Sequence, residues 1–219
     1  MPFLRNRNRH YEPVWHLQLT VLAAIGLQLA LPSRYIFDSR WILIAAEILL
    51  LVALSFTTPK ERIFRSISRR INVFLLIAAI GLTNLYALVQ VADKLLSIGQ
   101  VLNGRDLILS AINIYLTNII IFALLYWEMD GGGPGQRLNA AHHEQDFLFP
   151  QEQNQEYKHQ LWRPTFIDYL YVSSTNAMAF SPTDTMPLSR RAKLLMLAQA
   201  TISLVAIALV AARAVNILH

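Results

Sequence analysis

Long apolar runs, separated by basic and turn-rich segments, set the pattern of this chain. The first, Val14 to Leu31, follows Arg5, Arg7, Arg9 and His10 and stops at Pro32 and Ser33, where a helix ends naturally. The second, Trp41 to Thr57, is preceded by Arg34 and Arg40 and closed by Pro59 and Lys60; Ile71 to Val91 resumes after Lys60, Arg62, Arg65, Arg69 and Arg70. Leu107 to Trp127 opens after Arg105 and Asp106 and ends on the aromatic pair Tyr126 and Trp127, and Leu194 to Leu218 follows Arg190, Arg191 and Lys193. A helix rises 1.5 Å per residue, so about 20 apolar residues cross a hydrocarbon layer of about 30 Å. The pattern therefore predicts an all-α integral membrane protein with five transmembrane helices. The first run lacks a small-residue cleavage pattern at its end and is expected to stay as a helix.

The region before the last run does not fit a simple span. Gly131, Gly132, Gly133, Pro134 and Gly135 break any helix, and Gln136 to Arg163 is polar without a sustained period, which predicts an extramembrane loop. Pro164 and Thr165, with Asp168 three positions on, form a helix start, and Phe166 to Ala179 continues it. Fifteen residues, counted from Thr165, reach about 22 Å, too short to span. Ser181, Pro182, Thr183, Asp184 and Pro187 then prevent continuation. The pattern predicts a short re-entrant helix and a returning chain, which survive at membrane depth when buried in protein or lining a water-filled cavity. The organisation expected is a basic tail over 1–13, a three-helix membrane region over 14–106, and a module over 107–218. Within that module lie span four, the polar loop 128–164, the re-entrant helix and return 165–187, and span five.

Composition agrees with this picture. The chain is 54% hydrophobic, above the roughly 45–50% of ordinary soluble domains. It has no cysteine, which excludes disulfides, thiolate metal sites and a cysteine nucleophile. The net charge of +5 comes from Lys and Arg that flank apolar runs rather than stripe a soluble face, so it is assigned to lipid headgroups and topology, not to nucleic acid. A multi-pass protein of a bacterial inner membrane is the localisation expected.

The residues Y-L-Y-V-S-S-T-N-A-M-A-F-S-P-T-D-T-M-P, Tyr169 to Pro187, resemble the pore helix and filter of tetrameric potassium channels, whose filter reads T-V-G-Y-G-D with a proline three residues after the Asp. Asp184 and Pro187 match that spacing, and Tyr171, Val172 and Ser173 fall where the pore helix carries its aromatic and serine positions. The layout is also similar to uncharacterised bacterial five-span membrane proteins with a Ser/Asp re-entrant element. The likeness covers roughly Asn113 to Leu218. It implies a pore helix carrying Asp168, Tyr171, Ser173, Thr175 and Asn176, and a filter at Ser181, Pro182, Thr183 and Asp184. It further implies a homo-oligomer, a tetramer if it forms a pore, passing monovalent cations and needing no cofactor. The filter departs from the family: Ser181 and Thr183 replace glycines with Pro182 between them, so a ladder of backbone carbonyls is not expected. A weakly selective cation pathway lined by hydroxyls and Asp184 is the leading expectation. The alternatives are a non-conducting scaffold or sensor, in which S-P-T-D is only a turn, and a secondary transporter.

Other polar residues lie inside the apolar runs. Glu47 in span two is expected either to serve ion or proton passage or to join helices as a neutral acid, through Asn84, Asn113 or Thr117. Asn113 and Thr117 share a helical face with Asn118 beside them, a pattern suited to interhelical hydrogen bonds. His142, His143, Glu144, Asp146 and His159 match no metal-ligand spacing and read as a solvated loop. Arg62, Arg65 and Arg69 share a face and are assigned to headgroups. The small residues of span five predict close packing, in the protein interior or between copies. No nucleotide loop, catalytic triad or redox motif is present, so no enzymatic activity is expected.

Overall fold

Apolar runs without nearby charges form helices because a helix satisfies its own backbone, and helix dominates this chain. The computed structural model describes residues 15–30, 44–45, 47–49, 51–52, 67–96, 104–137, 145–153, 162–178 and 184–217. Among them, α1 is Trp15–Ala30, α2 is Ile67–Leu96 and α3 is Gly104–Met129. A 3-10 turn, Asp130–Gly132, leads into the single turn α4, Pro134–Arg137. The strand β1, Phe147–Leu148, precedes α5, Pro150–Gln153; then come α6, Phe166–Ala177, β2, Met186–Pro187, and α7, Arg190–Ile217.

Three of the described helices are long and apolar enough to cross a membrane: Arg69–Leu95, Arg105–Gly132 and Arg190–Ala212. They lie in the third, fourth and last apolar runs. The first run forms a helix of 16 residues, about 24 Å at the standard rise and short of a hydrocarbon layer of about 30 Å. Most of the second run lies outside the described residues, although 44–45, 47–49 and 51–52 are helical.

Helix α3 is the centre of the packing: α1, α2, α6 and α7 all lie against it. Its residues Phe122, Ala123, Leu124, Tyr126 and Trp127 share one core with Val21 and Ile25 of α1, Leu76 and Ile80 of α2, Tyr169 and Val172 of α6, and Ala192 of α7. Most of α3 is buried and most of α7 is exposed. Within one chain the last span is therefore not interior.

The loop after α3 departs from the sequence expectation. Phe147 and Phe149 are buried, and β1 pairs antiparallel with β2, Phe147 opposite Pro187 and Leu148 opposite Met186. The Leu188 N–H donates to the Asp146 carbonyl at 2.8 Å, extending that tie. Period alone could not reveal two-residue strands whose partners lie 38 and 40 positions apart. Aromatic edges hold the loop down: Phe149 meets Tyr169 edge-on at 5.3 Å and Tyr126 meets Phe147 at 5.0 Å.

Candidate functional site

Helix α6 begins where the sequence places its start. Thr165 is extended, and both its N–H and its hydroxyl donate to the Asp168 carboxylate, at 2.7 and 2.8 Å, which satisfies a donor that helix starts leave open. The helix has 12 residues, about 18 Å. Its first turn lies at the end of α3, with the Phe166 ring edge-on to Trp127 at 6.1 Å. Its last turns lie against the middle of α3 and α7. Asn118 and Ile119 are the middle pair of the apolar helix Arg105–Gly132, and the Ser173 hydroxyl donates to the Ile119 carbonyl at 2.7 Å.

At that level a closed polar network ties α3, α6 and α7 together around Gln199. The Gln199 Nε2 donates to the Ser173 carbonyl at 2.9 Å and to the Ser173 hydroxyl at 2.6 Å. Its Oε1 accepts from the Tyr126 hydroxyl at 2.7 Å and from Asn176 Nδ2 at 2.9 Å. Both donors and both lone pairs of the amide are thus used. Asn176 also donates to the Met196 carbonyl at 2.9 Å, and Asn118 Nδ2 donates to the Ser203 hydroxyl at 2.8 Å and the Gln199 carbonyl at 3.3 Å. Gln199, Ser173, Ser203 and Tyr126 are fully buried, where an unmade hydrogen bond is expensive.

A second, charged layer closes the end of α3 where α6 starts. Gly131, Gly132 and Gly133 all have positive φ, so the chain turns back at once. At Gly133 the turn is obligatory: a Cβ there would lie 2.9 Å from the Glu128 carbonyl oxygen. Arg137 is thereby brought under the helix end and donates to the carbonyls of Trp127 at 2.6 Å and Asp130 at 2.8 Å, capping α3. Asp130 is buried; one of its oxygens accepts the N–H groups of Asp146 and Phe147, at 2.7 and 3.2 Å, and the other accepts the Tyr169 hydroxyl. Burial above all pushes that hydroxyl well above the ordinary tyrosine range, with Arg137 opposing and Asp130 adding to it, so Tyr169 stays a donor. Arg69, 2% exposed, pairs through both terminal nitrogens with Glu128, 1% exposed, at 3.3–3.4 Å. Arg191 pairs with Asp146 at 3.2 Å.

These contacts correct several expectations. Arg69 does not reach out to headgroups; it is buried and paired with Glu128. Asp146 is buried and paired rather than solvated, because Arg191 and the Asp130 contact fix its segment. Glu47 is fully buried, but its partner is Gln28 of α1, whose Nε2 donates to it at 3.4 Å, not Asn84, Asn113 or Thr117. Asn84 Nδ2 donates to the Ile114 carbonyl at 3.2 Å. Thr117 is buried without a hydrogen-bond partner among the described residues, and Asn113 beside it is half-buried.

Of the residues expected on a pore helix, Asp168 bonds Thr165, Ser173 bonds Ile119 of α3, Asn176 bonds Met196 of α7, and Thr175 bonds back to the Tyr171 and Val172 carbonyls at 3.0 Å. Tyr171, by contrast, is 57% exposed. Of the filter positions, Asp184 is exposed just before β2, while Ser181, Pro182 and Thr183 lie outside the described residues, as do Arg62, Arg65, His142, His143, Glu144 and His159. Gln199, Asp130 and Glu128 carry much of the geometry, and the sequence reading did not single them out. Gln199 stands well inside the last apolar run, with the next long polar side chain at Arg213, and that isolation is its signal. Among the described residues, no group of three or more His, Cys, Asp or Glu side chains is placed to hold a metal ion.

Comparison with protein-family models, curated proteins and solved structures finds no match.

Proposed function

We propose that this chain is a five-span membrane protein in which α6 is a re-entrant helix, and that copies of it assemble around a weakly selective cation pathway. One observation carries the reading: the last turns of α6 reach the middle of α3, where Ser173 bonds Ile119, and lie near the middle of α7, where Asn176 bonds Gln199. The last turn of a helix leaves carbonyls without intrahelical partners and carries partial negative charge. At the centre of a hydrocarbon layer such an end needs protein, water or a cation to face it. A water-filled pathway for cations supplies that, and the hydroxyls of Ser181 and Thr183 and the carboxylate of Asp184 follow in the returning chain.

Two further observations support it. Ile167, Tyr171 and Met178, spaced for one helical face, are exposed along α6, and α7 presents a long exposed apolar face. A homo-oligomer would cover both, a tetramer on the potassium-channel likeness. Arg69, Arg137, Arg190 and Arg191 gather at the end where α6 starts, with Lys193 one turn into α7. By the positive-inside rule that end is cytoplasmic, so α6 enters from the cytoplasm, inverted relative to potassium channels and in the sense of the glutamate-receptor pore.

The test is flux of K⁺, Na⁺ and Cl⁻ into liposomes containing purified protein, for wild type and Asp184→Asn. Flux that favours cations and changes selectivity in the variant is expected. Absence of flux from folded protein, or a monomeric mass in detergent, contradicts the pore and leaves a non-conducting scaffold.

A further inference from the structure

Charges at the end where α6 starts are sorted by depth. Glu128, Asp130 and Asp146 are buried and spent inside the chain: on Arg69, on two N–H groups and the Tyr169 hydroxyl, and on Arg191. The cations Arg163, Arg190, Arg191 and Lys193 are exposed, and the described residues supply one exposed acid there, Asp184. At the opposite end of α2 and α3, Asp93 stands beside Lys94 and Arg105 beside Asp106, so both signs are present in equal number. Among the described residues, exposed positive charge is therefore in surplus at one end.

Two of these cations head a strip of α7. Arg190, Lys193, Leu194, Leu197 and Leu204 share one helical face, by the spacing of three, four and seven that a helix brings into line. The leucines are 67%, 65% and 53% exposed. Neither the Arg190 nor the Lys193 side chain makes an ion pair or hydrogen bond with a described residue. From Lys193 to Leu204 the helix rises about 16 Å, close to half of a hydrocarbon layer of about 30 Å and so the depth that the acyl chains of one leaflet fill. Copies assembled around one pathway share an orientation, so a neighbour brings its own basic end to this depth and adds to the charge there instead of neutralising it.

We infer that this strip binds an anionic phospholipid, with its phosphate on Arg190 and Lys193 and an acyl chain along Leu194, Leu197 and Leu204. A headgroup of net negative charge is selected, because a zwitterionic one carries its own cation beside the phosphate and neutralises nothing further. The inference rests on α7 crossing the membrane, as proposed above, and not on a conducting pore, so protein without cation flux still tests it.

The experiment is native mass spectrometry of the full chain, released from micelles that hold equal amounts of phosphatidylglycerol and phosphatidylcholine with the same acyl chains. Wild type is expected to retain phosphatidylglycerol in preference by about 25-fold, at about fivefold for each of the two cations. Arg190→Gln combined with Lys193→Gln is expected to lose most of that preference. The charge-keeping exchange Arg190→Lys with Lys193→Arg, and Arg105→Gln at the opposite end, are expected to keep it. Excess glycerol phosphate, a headgroup without chains, is expected to leave the lipid in place. The absence of any preference in wild type overturns the inference, as does a preference that survives the double glutamine variant or falls equally in Arg105→Gln. Displacement by glycerol phosphate overturns the contact with the leucines and leaves a site for free phosphate. An oligomer of intact mass that retains no lipid overturns the site and makes a second copy the occupant of the strip.

Discussion

Replacing Gln199 by Leu removes the amide at the centre of the α3–α6–α7 junction while keeping most of its volume. Four hydrogen bonds go with it, two to Ser173, one from Tyr126 and one from Asn176. Interhelical hydrogen bonds inside membranes average about 0.6 kcal/mol, so the bonds alone amount to about 2.4 kcal/mol. The partners fare unequally. Ser173 keeps the Ile119 carbonyl and Asn176 keeps that of Met196, whereas Tyr126 loses the acceptor it has at 2.7 Å. An orphaned buried donor adds about 1 kcal/mol or more, giving a loss of about 3–4 kcal/mol. The assay is reversible unfolding in mixed micelles titrated with dodecyl sulfate, followed by circular dichroism. Ser173→Ala and the double variant complete a cycle, and because the two residues share two bonds the coupling should exceed about 0.5 kcal/mol. A loss under about 1 kcal/mol with additive variants would refute the reasoning, since no satisfied network at that position could be removed so cheaply.

In the same assay, Arg69→Met or Glu128→Leu alone should cost about 3–5 kcal/mol by leaving one buried charge without its partner, and both together much less. Gly133→Ala should cost about 1–3 kcal/mol, because its φ is +96° and its Cβ would meet the Glu128 carbonyl. Gly26→Ala, with nothing within 4 Å of the added Cβ, should stabilise α1 by about 0.5–1 kcal/mol. Tyr169→Phe should cost about 1–2 kcal/mol through the Asp130 oxygen it leaves, and it should raise proteolysis of the Gln145–Gln153 segment that the same carboxylate anchors.

Much of this was legible because bilayer-length apolar runs and helix caps are local signals. The start of α6 at Thr165 and Asp168 follows from capping chemistry, and its shortness from Pro182 and Pro187. The starts of α2 and α7 were harder: both extend back into their basic clusters, to Ile67 and Arg190, because Arg69 and Arg191 find acidic partners. Those partners are 59 and 45 residues away, and no period in the sequence encodes such pairs. The same holds for Glu47 and Gln28, and for the two short strands. The Gly131–Gly133 run reads in sequence only as a break; the structure gives it the purpose of turning Arg137 back onto the carbonyls of α3.

A re-entrant α6 requires its far end to face water at mid-membrane depth. The chain has no native cysteine, so single cysteines can be read cleanly. The decisive measurement compares Met178→Cys, just past the end of α6, with Leu204→Cys, exposed on α7 near its middle, in sealed liposomes of known orientation. A membrane-impermeant thiol reagent should modify Met178→Cys from the side that carries Arg190 and leave Leu204→Cys unreactive. If Met178→Cys is as inert as Leu204→Cys, or reacts only from the opposite side, α6 does not enter from that face and the re-entrant pathway is wrong.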